Sequence, residues 1–158
     1  MKKALLFVLA LAVIPVGVDA QGTPSASCAD INGLSPLEDV RTCAEQGDAE
    51  TQAELGLRYD NGVSVPEDDV EAVRWYRLAA DQGYVDAQFN LGNMYYNGEG
   101  VPEDYVLAYM WWNLAAAQGH EDARGNKDIV EQEMTREQIA EGQRLSREWI
   151  EAHPPADN

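Results

Sequence analysis

A chain of 158 residues with 28 acidic against 11 basic side chains carries a formal charge of −17. That excludes nucleic acid and anionic lipid headgroups as partners, because both would meet a surface of like sign. The length suits one domain with a real core, and the acidity points to proteins with a basic surface, to metal cations, or to solubility alone.

The first element is MKKALLFVLALAVIPVGVDA. Lys2 and Lys3 precede an apolar run from Ala4 to Val16, and Val18 and Ala20 are the small residues before a cut, so residues 1–20 read as a secretory signal peptide. The run is short for a membrane span and nothing later resembles one. The SAS before Cys28 lacks the large apolar residue of a lipid-anchor signal. The expected mature chain is monomeric, periplasmic or secreted, and has no membrane contact after cleavage. An N-terminal extension follows over 21–34. Cys28 and Cys43 are the only cysteines, and in an oxidising compartment they are expected to form a disulfide. The loop closed would be about 15 residues, worth ~3 kcal/mol in the chain-entropy model. The string SPLEDVRTCAEQG predicts a capping helix over 35–46, with Ser35 and Glu38 as a capping box and Pro36 in the first turn.

Residues 47–82 and 83–118 then align without gaps, and half of their positions are identical, which marks a tandem repeat of 36 residues. Each unit reads as two helices. Helix A covers about 49–61 and 85–97, with Leu55, Gly56 and Tyr59 matched by Leu91, Gly92 and Tyr95. A glycine inside a helix costs ~1 kcal/mol against alanine, so its recurrence predicts that another helix approaches closely there. Gly62 and Gly98 end the helices, and Gly100 is a second loop glycine where unit one has Ser64. Pro66 and Pro102 prevent continuation, and Asp68 and Asp104 are expected to cap helix B. Helix B carries Ala72, Trp75, Tyr76 and Ala79, then Ala108, Trp111, Trp112 and Ala115. These spacings make a single apolar stripe, so the adjacent tryptophans read as core rather than as a ligand platform.

The strings ELGLRYDNGVSVPEDDVEAVRWYRLAADQG and AQFNLGNMYYNGEGVPEDYVLAYMWWNLAAAQG resemble Sel-one-like repeats, relatives of the tetratricopeptide repeat. The resemblance implies an all-α fold, a short right-handed α/α superhelix of about seven helices, and a role as an adaptor or regulator that offers its groove to another protein. Residues 119–151 are then a degenerate third repeat, with Lys127 and Asp128 in place of Leu-Gly. TREQIAEGQRLSREWIEA follows as a closing helix, capped by Thr135 and Gln138. Residues 152–158 are expected to be a disordered tail, and His120 and His153 to be exposed without a motif.

With Ala87, Leu91 and Tyr95 facing the core, Phe89, Asn93 and Tyr96 point the other way at 100° per residue. Unit one has Ala53, Leu57 and Asp60 there. These six positions change between units while the core stripe does not, and they are the expected partner-binding face. The alternative is that Phe89 and Tyr96 pack against a neighbouring unit. A Ser-x-x-Lys nucleophile is excluded because Arg124 precedes Lys127 by three. Asp60 and Glu71 sit at calcium-loop ends, but Val65 replaces the required glycine, so the segment reads as a turn. No catalytic, metal-binding or cofactor-binding residue is expected. The resulting picture is a non-enzymatic, exported protein-binding scaffold of a bacterial envelope. The rivals are a small hydrolase of beta-lactam or cell-wall substrates and an acidic cation-binding protein. The hydrolase-like relatives repeat a cysteine pair in each unit, which this chain does not.

Overall fold

The structure is a computed structural model that describes residues 28–154. The expected signal peptide, residues 21–27 of the extension and residues 155–158 of the tail lie outside the described residues. Among the described residues there are seven α-helices: α1 (Leu37–Glu45), α2 (Ala49–Asn61), α3 (Asp69–Asp81), α4 (Val85–Asn97), α5 (Tyr105–Ala117), α6 (Glu121–Val130) and α7 (Arg136–Ala152), preceded by a 3-10 turn at Cys28–Asp30. Each packs on the next from α1 to α6, and α7 returns to pack on α5. The array is an α/α solenoid with a closing helix.

The helix starts follow from their side chains. Asp68 Oδ1 accepts from the amides of Val70 and Glu71, both at 3.1 Å. Asp104 does the same for Val106 and Leu107, and Thr135 and Gln138 form the reciprocal box at α7. The box expected at α1 does not form. Pro36 holds the N-cap position without a side-chain bond, and the Ser35 hydroxyl instead accepts from the amide of Asn32 at 3.0 Å, closing a turn of the extension. Residues 152–154 of the expected tail are described. Ala152 is the last residue of α7, and the His153 ring stacks on Trp149 with centroids 4.2 Å apart, an apolar contact that keeps it ordered.

The recurring helix glycines do admit a neighbour. A Cβ at Gly56 would stand 2.7 Å from Cδ1 of Tyr76, and one at Gly92 would stand 2.5 Å from Cδ1 of Trp112. Each unit therefore presses the second aromatic of helix B onto the bare backbone of helix A. Outside the repeats, Gly142 of α7 receives Tyr109 of α5 at 2.6 Å in the same way. Trp75 and Trp111 are each 6 % exposed, Tyr76 is fully buried and Trp112 is 2 % exposed, so both aromatic pairs are core.

Carboxamides join each unit to the helix before it and also tie the helices within a unit. Gln52 Nε2 donates to the Ala44 carbonyl and Gln88 Nε2 to the Ala80 carbonyl. Gln82 donates to Gln52, and Gln118 donates to Gln88. These carboxamides give the Ala44 and Ala80 carbonyls at the ends of α1 and α3 a second donor beside the amides of Gly47 and Gly83. At the N-terminal end Cys28 and Cys43 form a disulfide with Cα atoms 5.5 Å apart. Arg58, only 3 % exposed, pairs with Glu54 at 2.8 Å and donates to the carbonyls of Ser35 at 2.9 Å and Gly33 at 3.3 Å. The N-terminal turn is thus held on α1 by a covalent staple and on α2 by a buried guanidinium. Replacing both cysteines with serine is expected to lower the unfolding free energy by about 3 kcal/mol. Urea unfolding of the oxidised parent and the double variant measures it, and unchanged midpoints would show that the staple adds nothing to Arg58.

Candidate partner-binding groove

The six variable positions do not form one face. Ala53 and Leu57 of α2 and Phe89 of α4 line an open groove of about 490 Å3, together with Ile31, Asn32 and Gly33 of the N-terminal turn, Glu50, Thr51 and Glu54 of α2, Tyr84, Asp86 and Asn90 around the start of α4, and His120. Leu57 is 45 % exposed, whereas Ala53 is buried at 8 %. The groove is lined by α2 and the start of α4, with the N-terminal turn and the residue just before α6 contributing the rest.

Asn93 and Tyr96 belong to a second hollow of about 340 Å3, with Asn97, Trp112, Asn126 and Ile129. Asn93 Oδ1 accepts from Trp112 Nε1 at 3.1 Å and from Asn126 Nδ2 at 3.2 Å. Tyr96 stacks on Tyr105 at 5.3 Å and tilts against Trp112 at 5.4 Å. Phe89 and Tyr96 are each half-buried against neighbouring elements, and each also lines a hollow.

Asp60 is placed apart from both. Its Oδ2 accepts from the Tyr76 hydroxyl at 3.1 Å, and it lines neither hollow. Burial first raises the Asp60 pKa above the ordinary carboxylate value; the Tyr76 bond opposes this, and Glu99, Asp69 and Glu67 reinforce it. A raised folded-state pKa means that the native state binds the proton more readily than the unfolded chain does. Stability therefore falls as pH rises from the ordinary carboxylate value through the raised one, and ionised Asp60 opposes folding at neutral pH. Asp60→Asn keeps an acceptor for Tyr76. It is expected to raise the melting temperature at pH 7 and to flatten the acid-range pH dependence; equal shifts at pH 4 and pH 7 would remove the titration from the account.

His120 was expected to be an exposed residue beside a turn glycine. Gly119 has φ of +97° and ends α5, so the next residue starts α6. His120 Nδ1 accepts from the Ala123 amide at 3.2 Å as its N-cap, and its ring stacks on Phe89 with centroids 4.3 Å apart. Arg58, the glutamine pairs and this histidine were all missed in the sequence. The identities of Gln52 with Gln88 and of Gln82 with Gln118 were the signals available. Among the described residues no three His, Cys, Asp or Glu side chains gather to hold a metal ion, and no helix is long and apolar enough to cross a membrane.

Comparison with known proteins gives a consistent result. The Sel1 repeat model matches residues 49–84 and 85–120. No curated protein matches the chain. Among solved structures, a protective antigen of uropathogenic Escherichia coli strains that displays an SLR fold is 35% identical with a TM-score of 0.72, over 75% of this chain and 26% of that one. The chain thus spans about a quarter of that antigen's length. A Sel1 repeat protein from Oxalobacter formigenes is 40% identical with a TM-score of 0.58, over 59% of this chain and 70% of that one. With two repeats matched, their helix pairs packed as a solenoid, and such relatives, the chain belongs to the Sel1 repeat family.

Proposed function

We propose that this protein is an exported, non-enzymatic scaffold of the bacterial envelope that holds a protein partner in the groove between α2 and α4. Sel1 repeat proteins generally bind protein partners, and the repeat fold is consistent with such a scaffold. The observation that carries the reading here is Leu57, a large apolar side chain left 45 % exposed in a groove. Its repeat counterpart Asn93 is instead tied to Trp112. Exposed apolar side chains gathered in a concavity mark interaction sites. Export is supported by the residues 1–20 pattern and by the disulfide, which persists in oxidising compartments.

A photo-crosslinking side chain placed at position 57 tests this, with the same group at the exposed Ala140 of α7 as the control. Irradiation of intact cells is expected to give one discrete adduct from position 57 and none from position 140, in an envelope fraction where the protein lacks residues 1–20. Equal adduct patterns from the two positions would overturn the groove.

A further inference from the structure

The groove's lining says what kind of segment it takes. It contains three carboxylates, Glu50, Glu54 and Asp86, and no lysine or arginine. The nearby Arg58 is buried beneath it, with its charge committed to Glu54 and to two carbonyls. The lining also holds three large apolar side chains, Leu57 of α2, Tyr84 at the N-cap of α4 and Phe89 of α4.

Tyr84 supplies an independent argument. Asp48, Tyr84 and His120 are repeat equivalents, each standing at the N-cap of a helix A. Asp48 caps α2 through the Thr51 amide and His120 caps α6 through the Ala123 amide. Tyr84 makes no side-chain cap bond. Unit two therefore gives up a side-chain cap and receives a groove-lining ring instead. The Tyr84 hydroxyl is raised in pKa by its burial and by Glu50, Asp86, Asp48 and Glu54, in that order, so four carboxylates act on one aromatic ring. An aromatic face beside carboxylates is the setting that a guanidinium or ammonium group recognises, by stacking and by charge-assisted hydrogen bonds.

Resting on the scaffold reading, we propose that the groove binds an extended, basic segment of the partner, with an arginine or lysine side chain between Tyr84 and the Glu50 and Asp86 carboxylates and an apolar side chain against Leu57 and Phe89. Alternate residues of an extended chain share one face. The segment therefore carries its basic and apolar residues two apart.

Fluorescence anisotropy with a labelled synthetic peptide of repeating Arg-Ser-Leu-Ser tests the proposal, against peptides with Gln or Glu in place of Arg. The Arg peptide is expected to bind at least tenfold more tightly than the Gln peptide, with affinity falling as salt is added. Glu50→Gln with Asp86→Asn is expected to weaken it at least tenfold. Glu137→Gln with Glu151→Gln on α7 removes the same charge and is expected to leave binding within twofold. Tyr84→Ser, which restores a capping side chain, is expected to lose the peptide while α4 stays helical by circular dichroism. Equal binding of the Arg and Gln peptides, or equal losses in the two neutralised pairs, would overturn the proposal. A partner adduct at position 57 together with that result would leave the scaffold standing and remove only the basic segment; rim-dependent peptide binding without an adduct would do the reverse.

Discussion

Trp111→Ala is expected to lower the unfolding free energy by about 3 to 5 kcal/mol, the range for deleting a large core aromatic. Trp111 is 6 % exposed and sits in one cluster with Ala80, Ala87, Leu91, Met94 and Leu114, where α3, α4 and α5 meet. It also meets Trp149 of α7 edge to face at 6.3 Å, so the cavity would loosen the closing helix as well. The surrounding alanines cannot reach in to fill the space. The melting temperature should fall on the order of 10–20 °C for a domain of this size. A calorimetric scan reads the effect, and a variant that melts like the parent while losing a ligand would show that the tryptophan pair is a platform after all.

Gly100→Val should be as damaging for a different reason. Gly100 has φ of +66°, and a Cβ there would stand 2.3 Å from the backbone oxygen of Asp69 and 2.4 Å from its carbonyl carbon. The left-handed conformation costs a β-branched residue roughly 1–2 kcal/mol. The overlap, with backbone rather than a movable side chain, adds about 1–3 kcal/mol. The sum is about 2 to 5 kcal/mol. Its counterpart Ser64 already adopts φ of 63°. The helix facing it differs, because α3 begins at Asp69 while α1 begins only at Leu37, four residues later in the repeat. Ser64→Gly relieves the strain of the positive φ but frees the unfolded chain by a similar amount, so it should be neutral within roughly 0.5 kcal/mol. Denaturant unfolding of the two variants side by side checks the asymmetry. Comparable losses at both positions would mean that the turn conformation, not the approach of the neighbouring unit, sets the glycine requirement.

The framework was legible because the repeat prints its punctuation twice. Gly62 and Gly98, the two Val-Pro-Glu-Asp strings and the aromatic pairs act within a few residues of themselves, so α2 to α5 are visible before any tertiary contact is known. The groove was only half legible. Rotation by 100° per residue says which way Leu57 and Phe89 point, but not what stands opposite them. Asp60 is drawn away by Tyr76, sixteen residues on. Asn93 and Tyr96 are taken into the second hollow by Trp112, and His120 reaches Phe89 across a unit boundary. The Ser35 box failed for a similar reason. The extension folds back so that Ser35 serves Asn32 with its hydroxyl and Arg58 with its carbonyl, partners that no local pattern names.

The staple at Cys28 and Cys43 anchors one wall of the groove covalently. Ile31, Asn32 and Gly33 lie between the disulfide and the carbonyls gripped by Arg58, and they are the groove's N-terminal wall. With the thiols reduced, α2 and α4 keep their spacing through α3, while that wall is held by the guanidinium and by Ile31 packed against the cluster of Val40, Ala44, Leu55 and Trp75. The bond that closes this short N-terminal loop therefore also fixes one side of the concavity to the helix that precedes the repeats.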